Sequence, residues 1–215
     1  SLNTAYDKTA GTISINPDNI VRTRYDTARS SADKYWLGYE ASANIVENYL
    51  YISENGGMFY CIDLNTMALI WAQDTKDDSN STPVFQWGDD GNGYIYTAPS
   101  LHWTAEGHDG SISIYKLDAE NGDILWQYER ECVRYDDIAG GVQCTPLIGK
   151  AGTKIEGLII YSIGRTPSAY RGVLVALDKD TGEIIWEISS GNYAWSSPVA
   201  LYTEDGHAYI FLANA

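Results

Sequence analysis

The stretch Ala176-Leu-Asp-Lys-Asp-Thr-Gly-Glu-Ile-Ile-Trp186, "ALDKDTGEIIW", reads as a strand, a tight turn and a second strand that stops on tryptophan. Counting back from the tryptophan, an acid stands eight residues earlier and a turn residue four residues earlier: Asp178, Gly182 and Trp186. "LDAENGDILW" repeats the register with Asp118, Gly122 and Trp126, and "IDLNTMALIW" repeats it with Asp63, Met67 and Trp71. Asn121-Gly122 and Thr181-Gly182 put a residue that tolerates positive φ between two strands, as a tight hairpin requires. The aspartate before each turn can accept turn N–H bonds, so turn capping is expected of it rather than chemistry.

The hairpin belongs to a longer repeat. Trp71 to Trp126 is 55 positions and Trp126 to Trp186 is 60. A polar loop follows each tryptophan and leads to a Ser/Thr-Pro-apolar signature: "STPVF" at Pro83, "CTPLI" at Pro146 and "SSPVA" at Pro198. The distance from Trp to Pro is 12, 20 and 12, so the middle repeat carries an eight-residue insertion. A β-rich run comes next: "NYLYIS" from Asn48, "GYIYTA" from Gly93, "GLIIYSI" from Gly157 and "AYIFLA" from Ala208. Each unit therefore reads as four short strands: A after the proline signature, B the Tyr-Ile-Tyr run, C ending in the aspartate and D ending in the tryptophan. Four-stranded antiparallel meanders repeated at this period build a β-propeller.

Composition agrees. Aromatic residues are 13% of the 215-residue chain, with 17 tyrosines and 7 tryptophans, which suits pleated, half-buried strands and an all-β fold. The net charge of −15 argues against nucleic acid, because tracking phosphates needs clustered Lys and Arg. No apolar run is long enough to span a bilayer, and "SLNTAYDKTAG" lacks the basic and apolar regions of a signal peptide. Of three cysteines, Cys61 reads as a small buried hydrophobe, while Cys132 and Cys144 flank one loop and are either a loop-closing disulfide or two thiols.

The pattern Leu-Asp-x-x-x-Gly-x-x-x-Trp followed by Ser-Ser-Pro resembles the pyrroloquinoline quinone (PQQ) repeat of quinoprotein-dehydrogenase-like propellers, over roughly residues 40–215. In that family the strand-D tryptophans lie between adjacent blades, which implies a docking role for Trp71, Trp126 and Trp186. Residues 40–215 are thus expected to hold three blades and part of a fourth. Residues 1–39 are expected to hold degenerate N-terminal strands, with a C–D hairpin from Gly11 to Tyr25 that turns at Asn16-Pro17-Asp18. Quinoprotein-like propellers generally have seven or eight blades, so the resemblance implies an arc of a larger ring, prone to self-association at its open edges. The alternatives are terminal pairs that combine into a fourth blade, or two chains that join as one ring.

In a meander the A–B and C–D turns emerge on one side, and the B–C and D–A connections on the other. The C–D turns are tight. The B–C connections include "PSLHWTAEGHDG" and "GRTPSAYRG", and the D–A connections include "RECVRYDDIAGGVQ" and "SGNYAW", so the D–A/B–C face is the candidate functional face. The residue three before each strand-A proline is placed near the channel mouth: Glu40 (with Ala43 at the proline site), Asn80, Gln143 and Trp195. These can orient a small polar ligand, or else satisfy loop backbone groups. His102, Glu106, His108 and Asp109 match no standard zinc spacing, and "DDGNG" from Asp89 lacks the glutamate of a calcium loop and reads as an A–B turn.

Three functions are open to such a propeller. An acidic composition, abundant tyrosines and no constellation of nucleophile and base point to a non-catalytic platform in the cell envelope or outside the cell, binding a protein or a small polar ligand and needing no cofactor. The resemblance implies the other two, of which one is a quinoprotein dehydrogenase that oxidises an alcohol or sugar with PQQ and calcium. The last is an outer-membrane assembly scaffold. The enzymes commonly set a disulfide of neighbouring cysteines beside the quinone, whereas no two cysteines are adjacent here; Glu40 alone imitates their calcium-binding carboxylate.

Overall fold

The computed structural model describes residues 3–7, 9–10, 12–16, 38–191 and 195–214. Asn3–Asp7 (β1) and Thr12–Asn16 (β2) pair antiparallel. The expected Asn16-Pro17-Asp18 turn and Tyr25 fall, apart from Asn16, outside the described residues.

Among the described residues, three four-stranded meanders follow. The first blade is β3 (Asn44–Val46), β4 (Tyr49–Ser53), β5 (Met58–Asp63) and β6 (Ala68–Asp74), hydrogen-bonded in that order. The second is β7 (Val84–Trp87), β8 (Gly93–Thr97), β10 (Asp109–Asp118) and β11 (Ile124–Val133), with the short β9 (Ser100–Leu101) inside its B–C connection. The third is β13 (Leu147–Ile148), β14 (Leu158–Gly164), β15 (Gly172–Asp178) and β16 (Ile184–Ser189). β17 (Val199–Tyr202) and β18 (Ala208–Phe211) form an A–B pair after it. The all-β propeller expectation is borne out, strand A beginning directly after Ala43, Pro83, Pro146 and Pro198.

The repeat is exact in register. Trp71, Trp126 and Trp186 pair with Cys61, Lys116 and Ala176, each two residues before the strand-C aspartate. In every blade the ladder shifts just beyond that pair, leaving Ile70, Leu125 and Ile185 as the extra residue of a bulge.

The cores lie between blades. One cluster joins Tyr51, Phe59 and Trp71 of the first blade to Ile95, Tyr115 and Leu117 of the second. The other joins Tyr96, Ile114 and Trp126 of the second to Ile159, Tyr161 and Val175 of the third. The Trp71 indole N–H and the Tyr51 hydroxyl both donate to the Ala119 carbonyl, at 3.1 and 3.2 Å. One blade on, the Trp126 indole and the Tyr96 hydroxyl both donate to the Lys179 carbonyl, at 2.9 and 3.5 Å. Gly122 and Gly182 lie beneath these indoles: a Cβ would sit 2.6 Å from Trp71 Cε3 and 2.7 Å from Trp126 Cδ2 respectively, and both glycines have φ near +80°. Each turn glycine therefore answers two demands, its own left-handed backbone and the flat ring of the preceding blade. Trp186 is half-buried.

The turn aspartates do cap. Asp63 accepts the Asn65 N–H at 2.8 Å, the Thr66 hydroxyl at 2.9 Å and the Asn48 amide at 3.0 Å. The Asn65 N–H first, then the Asn48 and Thr66 side chains, hold its carboxyl below the usual range. A folded value below the unfolded one means that these bonds stabilise above an unfolded carboxyl's pKa of about 4, and are lost as pH falls through the folded value. Asp63→Asn should therefore flatten the acid limb of a melting-temperature profile below about pH 5. An acid limb identical to the parent's would show that the capping bonds do not favour the ionised carboxylate.

Candidate functional site

On the D–A/B–C face the loops are tied by buried carboxylates of the first D–A connection. Asp77, 1% exposed, accepts the backbone N–H groups of His102, Trp103 and Thr104 at 3.0, 2.8 and 2.9 Å and the Thr104 hydroxyl at 2.6 Å. It thereby pins the second blade's B–C loop. Asp78, 3% exposed, lies 3.3 Å from His102 Nδ1 and accepts the Asn80 amide at 3.0 Å, while its Oδ1 has no hydrogen-bond partner. Burial pushes the Asp78 carboxyl up, and His102 opposes that. The Trp103 indole donates to the Asn55 carbonyl at 2.7 Å and its ring stacks on His102 with centroids 3.9 Å apart.

The insertion of the middle repeat has a role here. It forms β12 (Gly140–Gly141), which pairs with β9 and with Gly164 of β14, so it ties the second blade's B–C loop to the third blade. The Ser/Thr residues of the proline signature join successive blades: Ser42 N–H donates to Thr82 Oγ1 at 3.2 Å, the Ser81 hydroxyl to the Cys144 carbonyl at 2.7 Å, and Thr145 N–H to Ser197 Oγ at 3.1 Å.

Of the four candidate ligand residues, Glu40 accepts the Asn55 amide at 2.9 Å, Asn80 donates to Asp78, and Gln143 donates to the Ala139 carbonyl at 3.1 Å within its own loop. Trp195 is 49% exposed. Glu40 and Asn80 thus enter the Asn55–Trp103–Asp77–Asp78 network, whereas Gln143 bonds inside a different loop. His102 turns inward to Asp78, while His108 Nδ1 lies 3.0 Å from the Arg134 carbonyl, so the two histidines are not brought together. Sequence reasoning passed over Asp77 and Asp78, whose only signal was a pair of acids in a polar loop.

The outer part of the face carries an aromatic group. Tyr135 of the second D–A loop meets Tyr170 of the third blade's B–C loop edge-on at 5.6 Å and His108 at 5.8 Å, and Arg165 lies 5.9 Å over the Tyr135 ring. Tyr170 is 64% exposed.

The three cysteines are buried thiols, so Cys132 and Cys144 take the second of the two readings. Burial pushes Cys61 and Cys144 up to about 11 and Cys132 to about 12, which keeps them protonated and inert at neutral pH. Calcium takes about six to eight oxygen ligands. Among the described residues no group of three or more His, Cys, Asp or Glu side chains is placed to hold an ion, and Glu40 is engaged by Asn55. No helix among the described residues is long and apolar enough to cross a membrane.

Residues 26–192 match a family model described as outer membrane protein assembly factor BamB. A quinoprotein ethanol dehydrogenase of Pseudomonas aeruginosa is 23% identical over 174 residues, covering 80% of this chain and 26% of that protein. The dehydrogenase subunit of a quinone alcohol dehydrogenase of Komagataeibacter europaeus is 22% identical over 151 residues, covering 69% and 19%. The chain thus spans 26% or less of the length of these relatives. Among solved structures, the quinohemoprotein alcohol dehydrogenase ADHIIG from Pseudomonas putida HK5 superposes with a TM-score of 0.52 at 15% identity, over 79% of this chain and 30% of that one, a likeness of fold alone.

Proposed function

Because the chain belongs to the PQQ-like β-propeller family, we propose that it is a non-catalytic binding platform of the cell envelope or extracellular space, engaging a protein partner through its D–A and B–C loops. The observation that carries this is the His108–Tyr135–Tyr170 group with Arg165. Exposed tyrosine is enriched at the energetic centres of protein interfaces, where rigid rings bury much area at little entropic cost, and Arg165, itself buried, braces the Tyr135 ring from within. Asp77 clamps the second blade's B–C loop, which carries His108, and a rigid loop binds without first having to be ordered. The family description, an outer-membrane assembly factor, supports the envelope location and the scaffold form of the same reading.

A second reading, a dehydrogenase that oxidises an alcohol or sugar with PQQ and calcium, is favoured by the identity to the Pseudomonas aeruginosa ethanol dehydrogenase. One titration separates the two. The purified chain, mixed with PQQ and calcium, should show no stoichiometric quinone uptake by absorbance and no dye reduction with ethanol or glucose. Stoichiometric uptake with turnover would replace the platform by the enzyme.

A further inference from the structure

On the opposite side of the disc, among the A–B and C–D turns, a cavity of about 500 Å³ opens between the first and second blades. Tyr49, Tyr51, Phe85 and Trp87 line it, together with the carboxylate-bearing Glu47 and Glu120, and its lining holds no lysine or arginine. Phe85 stacks on Tyr51 at 5.9 Å and meets Trp87 edge-on at 5.0 Å, so the rings form a continuous wall.

The next wedge, between the second and third blades, shows what such a wall does in this protein. There the Lys116 ammonium lies 4.1 Å from the centroid of the Tyr94 ring and 5.8 Å from that of Tyr96, and 3.5 Å from the Asp180 carboxylate. The register makes strands B and C of the two wedges equivalent position by position. Tyr96 pairs with Lys116 and Tyr94 with Asp118, while Tyr51 pairs with Cys61 and Tyr49 with Asp63. Glu120 stands two residues after Asp118, as Asp180 stands two after Asp178. The first wedge therefore has both tyrosines and the carboxylate of the second, with a short neutral thiol where the second has a lysine.

We propose that this cavity binds a small organic ammonium ion, whose head lies against Tyr49 and Tyr51 as the Lys116 ammonium lies against Tyr94 and Tyr96. Ring faces attract a cation through their quadrupole, and the attraction grows where water is displaced. The volume falls within the usual range for ligand sites. A ligand with a compact cationic head and an apolar stem matches rings inside and carboxylates alongside.

The test is a calorimetric titration of the intact chain with choline and with n-butylammonium, against the neutral choline isostere 3,3-dimethyl-1-butanol. The ammonium ions should saturate one site, with the isostere about tenfold weaker, as a partly desolvated cation–π contact implies. Cys61→Lys should abolish ammonium binding, because it supplies the cation from strand C as Lys116 does next door. Should that variant not fold, Tyr49→Leu, which copies Leu158 of the third blade, and Glu120→Gln decide the matter; each should weaken binding about threefold or more. Equal affinity for the neutral isostere, the absence of saturation, or unchanged binding in both Tyr49→Leu and Glu120→Gln would overturn the proposal.

Discussion

Replacing Trp126 by alanine should lower the free energy of unfolding by about 3–5 kcal/mol in urea denaturation, the range for a large aromatic cut from a core. The indole is buried at the joint of two blades, donates to the Lys179 carbonyl and covers Gly182. Its loss uncovers apolar surface on both blades and leaves that carbonyl short of a donor. Gly182→Ala should destabilise separately by about 1–3 kcal/mol, since its Cβ must enter the space of the ring and its φ of +75° disfavours any side chain. The two losses should not add. Once the indole is gone, the added methyl meets no ring and only the backbone strain of about 1–2 kcal/mol persists. Strict additivity would mean that ring and turn do not touch. Trp195→Ala, at a half-exposed position, should cost below about 1 kcal/mol, and a loss equal to that at Trp126 would sink the distinction.

The tryptophan register was legible because hairpin chemistry is local: a residue at positive φ, an acid before it and a ring four residues later can all be counted along the chain. The partner of that ring was not legible. Tyr51 and Tyr96 look like ordinary strand formers, and their hydroxyls find Ala119 and Lys179 only after one blade packs on the next. The insertion could be measured from Trp126 to Pro146, yet its use as a β-tie depends on Ser100–Leu101, some 40 residues earlier in the chain. Counting three back from each proline found Glu40 and Asn80, which do enter the loop network, but offset alone carries no information about side-chain direction, so Gln143 fell into a separate loop. The contrast between Cys61 and Lys116 was present in the sequence as two strand-C residues. Its meaning required knowing which rings and which carboxylate each of them faces.

Adjacent acids in the first D–A loop should respond in opposite ways to neutralisation. Asp77→Ala should cost about 2–4 kcal/mol, because four backbone N–H groups, that of Asp78 included, and a hydroxyl lose one charged acceptor, and donors left without a partner bear their full desolvation penalty. The damage should be concentrated in the loop that Asp77 pins. Hydrogen exchange of the 102–104 amides should accelerate about 30-fold to 1,000-fold, which is that free energy read as an opening equilibrium. Unchanged exchange at those amides would show that β9 and the Trp103 indole hold the loop without Asp77. Asp78 differs in that its Oδ1 has no hydrogen-bond partner and burial pushes its carboxyl up. A raised folded pKa means that the protonated form is the favoured one in the fold, so stability from this group falls as pH rises through that pKa. Asp78→Asn removes the buried charge and keeps an acceptor for Asn80 and Ser100. It should therefore leave stability at neutral pH unchanged or slightly higher, and a loss as large as that of Asp77→Ala would mean that the His102 contact, rather than burial, governs the carboxylate.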